Sequence, residues 1–167
     1  MAHKYPYLRS SVTPFGLMEQ LAVSLTTDPD EEGTPTATAV DNSWFGRLLA
    51  DNFQYEYQGN ASPERYDKKQ MVTNYFTKSI EFSAYDWECS FWELTKQADG
   101  TETGVVEGAV DVKVRHCDAC AGSNAHNGEF HFRYEISRPD ATSSWKINKW
   151  IMTKKADGAS SPKISFI

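Results

Sequence analysis

The chain has 167 residues, 40% of them apolar and 24% charged, and 17 Lys+Arg against 23 Asp+Glu leave a net charge of −6 at pH 7. That balance excludes wholesale disorder, and its acidity argues against a nucleic-acid or anionic-membrane partner, which needs a basic surface to meet phosphate. No apolar run reaches the ~18 residues of a membrane helix and the start, Met1 to Pro6, has no signal-peptide core, so a soluble chain is expected, with its compartment left open.

Three expectations of organisation follow: an irregular arm over residues 1–11, one domain over 12–155, and a tail over 156–167. Thr13-Pro14 is a helix start, a hydroxyl cap followed by proline at the first helical position. Phe15, Met18, Leu21, Ala22 and Leu25 then recur at spacings of three and four, which predicts a helix over 14–27. Residues 28–40 read as a flexible polar loop with two prolines and a glycine. Asp41 or Asn42 is expected to cap a short second helix carrying Trp44, Phe45, Leu48 and Leu49.

Phe53 to Gln58 alternates with period two and ends at Gly59, a strand signature. Asp67 and Gln70 have the spacing of a capping box, predicting a helix over 68–80 that presents Met71, Val72, Tyr75, Phe76 and Ile80. The remainder reads as four antiparallel strands. Tyr85–Lys96 turns at Asp99-Gly100 into Val105–His116, and a long hairpin loop over 117–128 leads to the alternation of Phe130, Phe132, Tyr134 and Ile136. The last strand, Trp145 to Lys154, changes phase between Ile147 and Trp150, and a bulge near Asn148-Lys149 would put Trp145, Ile147, Trp150 and Met152 on one side. The fold class expected is α+β: three N-terminal helices packed on a strongly bent, mostly antiparallel sheet, as a single domain.

Three passages carry a family resemblance: Leu48 to Gly59, Tyr66 to Val72, and Trp145 to Met152. Over roughly residues 12–154 the chain resembles the nuclear transport factor 2-like superfamily, the cystatin-like α+β cone that includes SnoaL-like domains. The resemblance implies a bent sheet wrapped around a helix, with an apolar cavity at its open end. It also implies a homodimer paired through the outer sheet face. Members of the superfamily include isomerases, dehydratases, epoxide hydrolases and polyketide cyclases, as well as non-catalytic binding domains.

Five Trp, eight Tyr and nine Phe supply wide apolar walls. The expected lining of a cavity for a small apolar ligand is Tyr55, Tyr57, Trp87, Phe91, Phe132, Tyr134 and Trp150. For isomerase-like chemistry, the resemblance brings Tyr57 to the place of the general base. A phenol with an unperturbed pKa of about 10 is a poor base at neutral pH. Glu56 is adjacent but points to the other face by alternation, and a one-residue slip would exchange the two. His116 shares parity with Val112 and Val114 and is a candidate acid/base at the mouth of the sheet, with Tyr55 or Tyr57 as donor. Cys117, Cys120, His116 and His126 have zinc-ligand chemistry, but all lie in one short loop, and a loop disulfide or free thiols are the alternatives. No metal or other cofactor is therefore expected. Phosphate loops, nucleophile elbows and zincin motifs are lacking in the sequence.

Overall fold

The computed structural model describes residues 13–27, 29, 33–58, 64–117 and 128–154. Helix α1, Pro14–Leu25, begins as its sequence requires: Pro14 needs no hydrogen-bond partner, and the Thr13 hydroxyl accepts from the Gly16 N–H at 3.0 Å. Its stripe of Leu17, Met18, Leu21 and Leu25 is buried. Helix α2, Ala37–Asn42, corrects the expectation of a helix capped by Asp41 or Asn42. Thr36 takes the cap, its hydroxyl accepting from the Ala39 N–H at 3.1 Å, so residues 37–40 are helical rather than loop. Asp41 instead reaches the buried Lys68 ammonium at 3.1 Å. A 3-10 turn, Gly46–Leu48, follows, and Leu49 already belongs to strand β1, Leu49–Tyr57.

A short strand the sequence reading missed, β2, Glu64–Asp67, pairs antiparallel with β1 and leads straight into helix α3, Lys68–Phe76. The capping box at its start is complete. Asp67 accepts from the Gln70 N–H at 2.8 Å, and the Gln70 side chain accepts from the Asp67 N–H at 2.9 Å. The helix closes earlier than expected, with Lys78 in the left-handed region at φ 57°. The Ser79 N–H then reaches the Asn74 carbonyl and the Lys78 N–H that of Tyr75, the pair of bonds that terminates a helix in this way. Ile80 therefore begins strand β3, Ile80–Lys96, and is not helical.

Strands β4, Glu102–Cys117, β5, Gly128–Arg138, and β6, Lys146–Lys154, complete an α+β fold. Its six-stranded sheet has the order β2-β1-β6-β5-β4-β3. Neighbours are antiparallel except β1 and β6, which run parallel, so the sheet is mixed. Residues 118–127 of the long loop, including Cys120 and His126, lie outside the described residues.

The phase change in the last strand is a bulge. Glu135 pairs with Lys149 and Ile136 with Ile147, leaving Asn148 as the extra residue. Trp145, Ile147, Trp150 and Met152 all end up buried. The Asn148 amide is used as well: it accepts from the Ser137 hydroxyl at 2.6 Å and donates to Asn52 at 2.9 Å, tying β5 to β1 across the bulge. A second bulge, unforeseen, falls at Ser90 between the pairs Cys89–Gly108 and Phe91–Glu107. Among the described residues, no helix is long and apolar enough to cross a membrane.

Candidate functional site: a tyrosine cluster on the inner sheet face

One face of the sheet, here the inner face, packs with α1 and α3 into the core. Strand alternation points Phe53, Tyr55 and Tyr57 of β1 to it, with Phe130, Phe132, Tyr134 and Ile136 of β5 and Trp150 and Met152 of β6. Trp150 is the hub. Its ring lies edge-on to Tyr55 at 4.9 Å and to Tyr85 at 6.1 Å, and tilted against Tyr134 at 5.8 Å. Tyr134 in turn meets Phe132 at 4.8 Å, and Tyr57 meets Phe130 at 5.6 Å. In the middle of this apolar surface the Tyr85 and Tyr134 hydroxyls hydrogen-bond to each other.

Of the expected lining, Tyr55, Phe132, Tyr134 and Trp150 therefore meet, with Tyr57 beside them. Trp87 faces inward but sits at the β3 edge, half-buried and stacked on Phe15 at 6.4 Å. Phe91 is elsewhere. The Ser90 bulge shifts parity, so Phe91 stands opposite Glu107 on the outer face, while Trp92 stands opposite Val106 on the inner one.

The catalytic candidates are scattered. Glu56 faces outward in the observed register, opposite Arg65, whose guanidinium reaches it at 2.8 Å. That bond and one from the Gln58 amide hold its carboxyl below the usual range. His116 and Cys117 pair along the backbone with Glu81 and Ile80, and their side chains lie outside the described residues. Among the described residues, no group of His, Cys, Asp and Glu is arranged to hold a metal ion.

Three residues of the cluster were missed. Tyr85 shares the parity of Trp87, a signal that alternation carried. Glu64 and Tyr66 are on β2, whose four residues hold one aromatic and give little pattern. Glu64 stands directly opposite Tyr57, so its carboxylate is on the inner side. It accepts from the Tyr66 hydroxyl at 2.9 Å, and the Tyr66 ring stacks on Tyr55 at 5.7 Å.

Burial dominates the electrostatics. It pushes the phenols of Tyr55 and Tyr134 well up, with the neighbouring Tyr85 adding to both. Burial, together with the Glu64 carboxylate, pushes Tyr57 up to about 12. Folding thus favours the protonated phenols, so their contribution to stability is complete below the unfolded value of about 10 and is lost as pH rises past it. An absorbance titration at the tyrosinate band should show Tyr55 and Tyr134 ionising only together with loss of the folded circular dichroism signal. Ionisation of all tyrosines near pH 10 in the folded chain would contradict this environment.

The outer face is polar. Arg133 pairs with Glu107 and reaches Glu135 at 3.5 Å. Arg138 and Glu102 have the parity of the inner face, at its end, where they pair at 3.1 Å and the guanidinium covers Trp145 at 4.6 Å.

No protein-family model and no curated protein matches the chain. Solved structures do. It is similar to an NTF2-like protein of unknown function in nutrient uptake from Rhodospirillum rubrum, at 14% identity and a TM-score of 0.51, over 84% of this chain and 96% of that one. It is also similar to an NTF2-like protein from Cytophaga hutchinsonii, at 18% identity and a TM-score of 0.49, over 71% of this chain and 88% of that one. With this element order and topology, the chain has the nuclear transport factor 2-like fold.

Proposed function

We propose that the inner face binds a small, mainly apolar molecule that carries a hydrogen-bonding group. The observation behind this reading is the tyrosine cluster. Tyr85 and Tyr134 place bonded hydroxyls in the centre of an apolar surface, where phenylalanine would pack without a polar atom to satisfy. Apolar walls with a few convergent hydroxyls are the usual make-up of a ligand site. The bulges at Ser90 and Asn148 bend their strands, which supports a cone-like sheet around that site. We further propose that two copies pair through the outer face, where Glu107, Arg133 and Glu135 offer charges of both signs to a second copy.

A second reading, a cofactor-independent isomerase, dehydratase or cyclase, is favoured by Glu64. A carboxylate on the inner side, bonded to Tyr66 and opposite Tyr57, is the kind of group that moves a proton next to an apolar ligand.

Native mass spectrometry of the purified full chain tests both readings. A dimer carrying a small organic adduct supports binding and pairing. Turnover of the identified adduct that is lost in Glu64→Gln, with the adduct still bound, selects the enzyme. A bare chain whose tryptophan fluorescence stays unchanged across a panel of phenols and indoles makes the cluster a packed core and ends the ligand reading.

A further inference from the structure

Strand β3 forms one edge of the sheet over 17 residues, and among the described residues no strand pairs with its far side. Half of its N–H and C=O groups therefore face away from β4, ready to pair with another extended segment. Its two faces differ sharply. Past the Ser90 bulge, Trp92 and Leu94 stand opposite Val106 and Gly104 on the inner side, yet both remain exposed. Trp92 is 52% exposed and Leu94 39%, and Phe15 of α1, 39% exposed, meets Trp92 edge-on at 5.8 Å. On the outer side the same strand presents Asp86, Glu88 and Glu93, all exposed and none in an ion pair among the described residues.

We propose that the β3 edge binds an extended peptide in which apolar and basic residues alternate, as an added strand. Backbone pairing supplies part of the affinity, and side-chain alternation supplies the selectivity. Residues of one parity would cover Phe15, Trp92 and Leu94, and lysines or arginines of the other parity would face the three acids. The charge decides the occupant. A second copy pairing edge to edge would set one acidic row against another, and like charges placed opposite each other destabilise a ladder. Acids that served only to keep the edge unpaired would not explain three large apolar side chains left in water beside it.

The test is fluorescence anisotropy of the full chain with a labelled synthetic peptide of alternating isoleucine and lysine. Two control peptides accompany it: one with glutamate for each lysine, and one N-methylated on the amides of a single edge. The expected result is binding of the lysine peptide, about tenfold or greater weakening with glutamate, and loss on N-methylation of the pairing edge. The doubly substituted chain Trp92→Ser, Leu94→Ser should bind about tenfold more weakly while its near-ultraviolet circular dichroism otherwise persists. Amide exchange in β3 should slow when the lysine peptide is present. Equal binding of the lysine and glutamate peptides overturns the proposal, as does indifference to N-methylation. Protection of the β3 amides in the chain alone also overturns it: with a dimeric mass the occupant is a second copy, and with a monomeric mass it is a segment of the same chain.

Discussion

Trp150→Ala is expected to destabilise the chain by about 3–5 kcal/mol, the range for removing a large aromatic from a packed interior. Trp150 is fully buried in the middle strand pair of the sheet, with Tyr55 beside it on β1 and Tyr134 on β5. Its removal takes one ring neighbour from each of Tyr55, Tyr85 and Tyr134, and leaves two bonded hydroxyls next to a void. Trp150→Phe keeps one ring and should cost about 1–3 kcal/mol. Urea unfolding followed by circular dichroism measures both, with stability read from the midpoint at constant slope. A cavity lined by apolar rings binds small aromatics, so indole should raise the midpoint of Trp150→Ala and stabilise it in proportion to occupancy. If Trp150→Ala costs under about 1 kcal/mol, the ring is not packed as described.

The difference between what could and could not be read from the sequence follows from the range of the interactions. The capping box of Asp67 and Gln70 was legible because both partners sit within one helical turn. The Asn148 bulge was legible because four large apolar residues demanded a common side and strict alternation could not give it. The Ser90 bulge carried no such conflict. Phe91, Trp92 and Leu94 supply apolar residues to both parities, so a regular strand and a bulged one look alike. Asp41 looked like a cap because the sequence does not show that Lys68 stands across from it. The same limit applies at the site. Alternation within β1, β5 and β6 put Tyr55, Phe132, Tyr134 and Trp150 on one face. Glu64 joined them only through its pairing with Tyr57, on a strand too short to announce itself. The resemblance to the nuclear transport factor 2-like superfamily rested on element order, which survives where site residues do not, and the solved structures agree with it at the level of fold.

Gly108→Ala should be the most damaging small substitution in the sheet. A Cβ at Gly108 would lie 2.0 Å from the Glu88 carbonyl oxygen and 2.8 Å from the Phe132 ring. The first obstacle is backbone, so no rotamer change relieves it, and β3 must move away from β4. Overpacking usually costs about 1–3 kcal/mol, and a clash with the main chain belongs at or above the top of that range. Gly100→Ala is the matching control. Nothing lies within 4 Å of its Cβ position, but its φ of +92° is a conformation that alanine resists, so its cost is conformational, of order 1 kcal/mol. The two glycines thus separate a steric requirement from a backbone one. The location matters for function as well as stability. Gly108 pairs with Cys89 immediately before the Ser90 bulge, the point at which β3 changes parity. A β3 displaced there loses the register that puts Trp92 inward and Phe91 outward, and the added methyl itself crowds Phe132, which meets Tyr134 in the tyrosine cluster. Gly108→Ala should therefore change both the near-ultraviolet signal of the aromatic cluster and the amide exchange of the β3 edge, whereas Gly100→Ala should lower the unfolding midpoint and leave both unchanged.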